Sequence, residues 1–403
     1  MGEGRVLIVG CGAPQLGLLR YARTLGLEVV GADLNPGAIG VRECDTFVRA
    51  STGEPEAIAA AVRASGATGI ASCGSEVAVA TTARAAERLG LPFYADVATI
   101  DRCQSKDLMR AAYLAGGAPV PVFVAATTLD ELARFRAEHG LPLIVKPSRG
   151  WGQRGVAKVE HDAELAPSFA AAQAASSTGV VMVEGFLEGR EFSVNAYTRA
   201  GETRVYSVTE RVITEYPDPP GITFAEWFPS GLDAATEAKV VDAAVLGARA
   251  LGIVRGPSYT QMRVGPKGAF IVETAHRLGG GLDPDVAWLA SGTSLFRKIL
   301  GVAMARDDWE AAGPESAPHG GAIGKFLIGT PGRVVRIEGL EAARAMPGIA
   351  GAEVWVPVGG TVHPLTDGSK RAGHVLAHGL DRDDAAANAS RAAAAIRIVT
   401  EPT

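Results

Sequence analysis

The first hundred residues alternate short β-type apolar runs with longer helical ones, and no other feature restricts the fold of this chain as much. "RVLIVG" is followed by "QLGLLRYARTLG", "EVVGAD" by "EPEAIAAAVRASG", and "GIASCG" by "AVATTARAAERLG". Strands that alternate with helices of about 10 to 15 residues form βαβ units, so this region is expected to build a parallel sheet. The turn "GCGAPQLG" after the first strand, with Asp33 ending the second, approaches a dinucleotide fingerprint. That fingerprint requires G-x-G-x-x-G, whereas this turn has Gly10, Gly12 and Gly17. A plain strand-to-helix turn is favoured over NAD binding, with a substrate carboxylate at the helix N-terminus as a third reading.

Composition removes several classes of function. The net charge is -5 and no long basic run is present, which argues against nucleic acid as a partner. No apolar run reaches the roughly 18 residues of a membrane helix, and the N-terminus enters a strand-like run without a basic leader, so a cytoplasmic location is expected. Cys11, Cys44, Cys73 and Cys103 show no CxxC spacing and read as small core residues. A chain of 403 residues with 47% hydrophobic content has room for two or three domains, and small molecules are its expected ligands.

From residue 102 the pattern changes. "SKDLMRAAYLAGGAPVPVF" is a helix that runs through Gly116 and Gly117 into a strand, "TLDELARFRAEHG" is a helix with a Thr cap, and "LPLIVKP" is a buried strand ending at Lys146. A basic glycine loop follows, and "GVAKV" returns as the partner strand. In such a hairpin the main chain around Ser148, Gly150, Gly152 and Gly155 can approach phosphate oxygens, while Lys146 adds point charge. It is not a Walker loop, because no GK[ST] follows and the chain returns to a strand. Lys146 is expected to carry charge rather than core volume, so its loss should leave stability nearly unchanged. Further on, "VMVEGFLEGREFSVNAY" sets Glu184 at a strand end, where it can accept an adenine amino group, and Glu191 seven residues on, where it can take ribose hydroxyls. "SYTQMRV" and "GAFIVET" read as paired strands that point Gln261 and Glu273 into one cleft, as two oxygen ligands for magnesium.

In order, spacing and residue type, Lys106, Lys146 with its loop, "VEGFLEGREFSV" and "VETAHRLGGG" resemble the ATP-grasp superfamily of carboxylate-amine ligases. The resemblance implies mixed α/β and α+β architecture in three parts. These are an open parallel α/β domain over 1–101, a two-lobed ATP-grasp domain over 102–318 with its lid lobe near 118–182, and a small α+β domain over 319–403. It also implies ATP between the lobes under the loop that follows Lys146. Lys106 and Lys146 would contact phosphates, Glu184 and the main chain at Phe186 the adenine, and Glu191 the ribose. Gln261 and Glu273 would hold magnesium, or manganese in its place, while Arg277 would face an acyl phosphate or substrate carboxylate beside Gly279 and Gly280.

Two positions depart from the superfamily. Ala275 stands where many members carry a metal-binding asparagine, and Gln261 where a glutamate is common. His276 neighbours Arg277 on a strand and so faces the other way, which disfavours it as a base. "FAEWFPSGL", "ALGIVRGPSYTQMRV" and the C-terminal "GAIGKFLIGTPG" are most similar to the L-amino acid ligase branch. That branch implies ATP-dependent joining of a small carboxylate to an amine through an acyl phosphate, and commonly a homodimer. An ATP-grasp enzyme with another acceptor, such as a bicarbonate-activating carboxylase or a nucleotide-pathway ligase, and a nucleotide-binding protein with degenerate catalysis remain open alternatives.

Overall fold

The computed structural model describes residues 4–150, 154–214 and 222–402. The N-terminal runs form β1 (Arg5–Val9), β2 (Glu28–Asp33), β3 (Thr46–Arg49) and β4 (Gly69–Ala71), a parallel sheet of order β3-β2-β1-β4. Val6, Leu7, Ile8 and Val9 are all fully buried, as expected of a parallel strand covered on both faces. One cover comes from far along the chain. The helix Leu295–Ala303 packs on this sheet and shares its core, with Phe296 against Gly17 and Ala303 against Gly69. The turn after β1 satisfies itself. Asp33 accepts the N–H groups of Cys11 and Asn35, at 2.9 Å each, and the Gln15 side chain bridges Gly12 N–H and the Cys73 carbonyl. The acid that would read a ribose in an NAD site is therefore committed to main chain.

The segment expected as the lid lobe forms a second sheet of β5 (Phe123–Ala126), β6 (Leu143–Pro147), β7 (Ala157–Val159) and β8 (Val181–Gly185), antiparallel in the order β5-β8-β6-β7. The helices Leu129–His139 and Leu165–Ala175 cover one face, burying Leu132, Phe135, Phe169 and Ala172 against Leu143, Val145, Val159 and Val183. The first of these helices starts at a capping box, in which Thr128 and Glu131 satisfy each other's main chain. The hairpin of β6 and β7 expected around Lys146 is present.

The third sheet carries the rest. Its strands are β9 (Arg190–Arg199), β10 (Glu202–Thr214), β11 (Ile222–Phe228), β12 (Gly256–Gly265), β13 (Gly268–Ala275), β14 (Gly321–Leu327), β16 (Ile349–Val354) and β18 (Gly373–Gly379), in the order β13-β12-β9-β10-β11-β14-β18-β16. A smaller sheet is formed by β15 (Gly332–Glu338), β17 (Thr361–Val362) and β19 (Arg397–Glu401), in the order β17-β15-β19. Period-two alternation splits the large sheet into two faces. Phe192, Val194, Met262 and Ile271 pack on the helix Ala234–Ala250, each fully buried and contributing about 1.5–3 kcal/mol. The opposite face carries Glu191, Arg211, Gln261, Arg263 and Glu273. The sheet does not stop at residue 318: β14 pairs with β11, and β18 and β16 continue outward.

Candidate active site

The polar face of the large sheet, the lid lobe and the start of the helix Glu76–Leu89 enclose a cleft of about 1220 Å³. Lys106, Lys146, Gly150, Glu184, Phe186, Glu191, Gln261, Glu273 and Arg277 all line it, residues drawn from more than 170 positions of sequence. Five of the expected residues lie elsewhere or outside the described residues. Ser148 is fully buried behind the wall, where its hydroxyl donates to Asp107 and its carbonyl accepts from Lys106 N–H at 3.0 Å, tying the helix Lys106–Ala115 to the end of β6. Gly155, at φ +71°, packs against Ala171, Ala172 and Ala175 of the lid helix. Gly279 and Gly280 touch Asp283 and Gly74 rather than the cleft. Gly152 lies outside the described residues.

Glu184 has other partners than the expected ones. Its carboxylate receives Arg110 Nε at 2.8 Å and Lys146 Nζ at 2.6 Å, and all three side chains are at most 8% exposed. Arg110 donates again to the carbonyl of Val272 at 2.7 Å, so it joins β8 of the lid lobe to β13 just before Glu273. Burial opposes ionisation of Glu184, but the two cations outweigh it and hold its carboxyl below the usual range. Burial, together with Arg110 and Lys106, lowers the Lys146 ammonium against the pull of Glu184. The expectation that Lys146 is thermodynamically idle is therefore corrected: it is half of a buried ion pair. Arg110 went unnoticed in the sequence, although its i, i+4 spacing from Lys106 sets both on one helix face.

Glu191 is likewise engaged, between Arg211 at 3.1 Å and Arg263 on the flanking strands. Phe186 lies under Lys158 at 4.6 Å and Arg263 at 5.6 Å from its ring centre. Glu273 is different. It makes no hydrogen bond or ion pair among the described residues, yet Lys106, Lys146, Arg277 and Arg211 together overcome its burial and keep it ionised. Gln261 is its cross-strand partner. Among the described residues no three His, Cys, Asp or Glu side chains gather as metal ligands. A cation here would take two protein oxygens and the remainder from phosphate and water, which suits magnesium. Ala275 lines the cleft as well and offers no ligand.

Arg277 forks onto Glu76 of the N-terminal region at 2.8 Å and stacks on Tyr259 at 5.5 Å. Its neighbour His276 is 3% exposed, with Nε2 at 2.9 Å from the Arg255 carbonyl, and burial drives its pKa down to about 4. His276 does not line the cleft, but it and Arg277 lie in the bend after β13 rather than on the strand, so strand alternation is not what separates them. Glu76 was invisible to sequence reasoning because its value depends on Arg277, 201 positions later.

A two-lobed cleft lined by Lys106 and Lys146, with Gln261 beside Glu273 on one hairpin, is the arrangement expected of the ATP-grasp class. An ATP-grasp domain family matches residues 139–285, and L-amino acid ligase C-terminal domain 2 matches residues 325–401. The chain carries an ATP-grasp domain, and its C-terminal part is similar to that of L-amino acid ligases. Uncharacterized protein y4rH of Sinorhizobium fredii is 30% identical over 296 residues, covering 72% of this chain and 60% of that protein. D-alanine–D-alanine ligase B of Chromobacterium violaceum is 32% identical over 180 residues, covering 42% of this chain and 55% of the ligase. The match thus spans less than two thirds of either relative. The crystal structure of L-amino acid ligase from Bacillus licheniformis superposes over 100% of both chains with a TM-score of 0.80 at 21% identity, a likeness of fold. No helix among the described residues is long and apolar enough to cross a membrane.

Proposed function

We propose that the chain is an ATP-dependent ligase that joins a small carboxylic acid, such as an amino acid, to an amine. A carboxylate oxygen attacks the γ-phosphorus of ATP, ADP departs, and the amine nitrogen then displaces phosphate from the acyl carbon. The observation that carries this reading is Glu273: a carboxylate without a direct partner, facing four cations at the bottom of a large cleft. Such an arrangement is complementary to a metal-bound polyphosphate and has no evident use otherwise.

Gln261 and Glu273 would hold magnesium, which when bound neutralises charge on the transferring phosphoryl group. Lys106 and Lys146 approach the phosphates from the two walls. When Lys146 turns toward phosphate, Arg110 stays on Glu184, so that carboxylate is not left bare. Arg277, oriented by Glu76, presents a planar fork to the acyl phosphate or the acceptor's carboxylate. The loop after Lys146, with the lid strands, excludes water from an intermediate that hydrolysis would waste. Glu184 serves the charge balance of Lys146 in this reading, and the adenine is left to main chain near Phe186.

The test is a matrix of amino acids and small carboxylic acids, singly and in pairs, assayed for ATP-dependent phosphate release with products read by mass spectrometry. Release that needs both an acid and an amine supports the ligase. Release driven by bicarbonate alone, or ATP binding with no ADP formed anywhere in the panel, refutes it. Lys146→Ala should abolish the release.

A further inference from the structure

Strand β2 is buried on both faces, yet one of its inner positions carries no side chain. Val29 faces the core shared with Leu18 and Leu19, and alternation puts Gly31 on that same face, whereas Val30 and Ala32 face the other core. A glycine inside a strand forgoes side-chain packing and marks a close approach by another group. Here the approaching groups are two sulfurs. A Cβ at position 31 would lie 2.7 Å from Cys11 Sγ and nearer still to Cys44 Sγ, so both thiols occupy the space that a side chain would fill. They are within hydrogen-bonding reach of each other.

Main chain fixes this meeting. Cys11 lies in the turn after β1, and Cys44 follows the 3-10 turn Ile39–Glu43. Cys11 N–H donates to Asp33 Oδ2 at 2.9 Å, and the Cys11 carbonyl accepts Gly40 N–H at 2.7 Å. The Gly40 carbonyl in turn accepts from the Cys44 thiol at 3.4 Å, and Cys44 N–H donates to the Val41 carbonyl at 3.1 Å. One residue, Gly40, therefore binds both cysteines. The two thiols are unequal. Cys11 is fully buried, and its bond to Cys44 together with burial raises it. Cys44 is half-buried, and the same bond lowers it against burial and the nearby Asp45 and Glu43, with help from Arg23. A thiolate is the form that reacts, so an oxidant meets Cys44 first. Cys73 and Cys103 are buried, and burial pushes both of those thiols up.

We infer that Cys11 and Cys44 form a dithiol site that a peroxide closes into an internal disulfide, tying the turn after β1 to the segment before β3. This does not depend on the ligase reading. The Cys44 sulfur attacks the peroxide, the O–O bond breaks, one oxygen stays on sulfur as a sulfenic acid, and the other leaves as water with the thiol proton. The Cys11 sulfur then attacks the Cys44 sulfur. The S–S bond forms, the S–O bond breaks, and the departing hydroxyl takes the Cys11 proton as a second water. The thiols give up two electrons and two protons, and a thiol reductant returns them. The tied turn bears on the cleft. Its Pro14 packs on Gly74, where a Cβ would meet it at 2.7 Å, and Gly74 lines the cleft with Glu76, the partner of Arg277.

Hydrogen peroxide in slight molar excess is the probe, added to the folded chain after reductant is removed. Thiols counted after unfolding should fall from four to two, and dithiothreitol should restore all four. Tryptic digestion should yield peptide 6–20 joined to peptide 43–49. In Cys11→Ser the sulfenic acid of Cys44 has no second thiol to resolve it and should be trapped by dimedone, whereas Cys11 in Cys44→Ser should give about tenfold less adduct or lower. Retention of four thiols, a bridge that includes Cys73 or Cys103, a bridge between two chains, or irreversible oxidation of Cys44 without a bridge overturns the site. Equal adduct in the two variants overturns the order of the steps. The peptide map needs no substitution, so it decides the matter even where both variants fold poorly.

Discussion

Replacing Glu184 by Gln should damage this protein more than removing either cation that binds it. Arg110, Lys146 and Glu184 form one buried unit with distances of 2.6 and 2.8 Å and a net charge of +1. Glu184→Gln raises that to +2 by removing the anion between two cations, and uncoupling a buried pair in this way costs about 3–5 kcal/mol. Arg110→Met leaves a neutral Lys146–Glu184 pair but orphans the Val272 carbonyl, a lost charged hydrogen bond of about 1.5–3 kcal/mol. Lys146→Met leaves Arg110 on Glu184 and should cost least. Thermal unfolding followed by tryptophan fluorescence would rank the three, with a fall of several degrees in Tm expected for Glu184→Gln. The double substitution Glu184→Gln with Lys146→Met should recover part of that loss, because it returns the unit to +1. If Lys146→Met proves as harmful as Glu184→Gln, or the double variant is worse than Glu184→Gln alone, the charge argument is wrong.

Three further outcomes follow from the same geometry. Glu273→Gln weakens the metal site, so its defect should shrink as magnesium is raised. Arg277→Ala should lower kcat by about a hundredfold, on the order of 3 kcal/mol, with ATP affinity nearly kept and no rescue by magnesium; circular dichroism must show it folded, since it also loses Glu76. His276 has a native pKa near 4 against 6.5 unfolded, so below 6.5 the unfolded chain binds a proton that the native one refuses. Stability should therefore fall as pH drops from 6.5 toward 4, by up to about 3 kcal/mol, and His276→Gln should flatten that part of the curve in a pH series of urea melts.

The local parts of this architecture were readable in the chain, and the parts set by distant pairing were not. The alternation in the first hundred residues, the hairpin after Lys146 and the paired strands carrying Gln261 and Glu273 each depend on neighbouring residues, and each formed. Ser148 and Gly155 looked like phosphate ligands because the loop pattern cannot say which main-chain atoms face inward; a hydroxyl bond to Asp107 and a helix packed on Gly155 decided that. Glu184 and Glu191 were read as nucleoside acids because neither strand announces the arginines that reach them from elements up to 74 residues away. The continuation of the large sheet past residue 318 rests on the register of β11 against β14, whose strands are separated by about a hundred positions and share no local signal.

That continuation also decides how the chain can be cut or recombined. Because β14 is hydrogen-bonded to β11 from Ala225–Lys325 to Phe228–Ala322, the last eighty residues are not a detachable module. Ending the chain before β14 would leave β11 as a bare edge, its buried Ile222 and Ala225 beside a row of open N–H and C=O groups, a template for pairing with other chains. Exchange of C-terminal regions between related proteins therefore carries a condition that sequence similarity alone does not express. The donor must bring a strand that meets β11 in the same register, with a glycine opposite Glu226 where Gly324 now packs against Leu282.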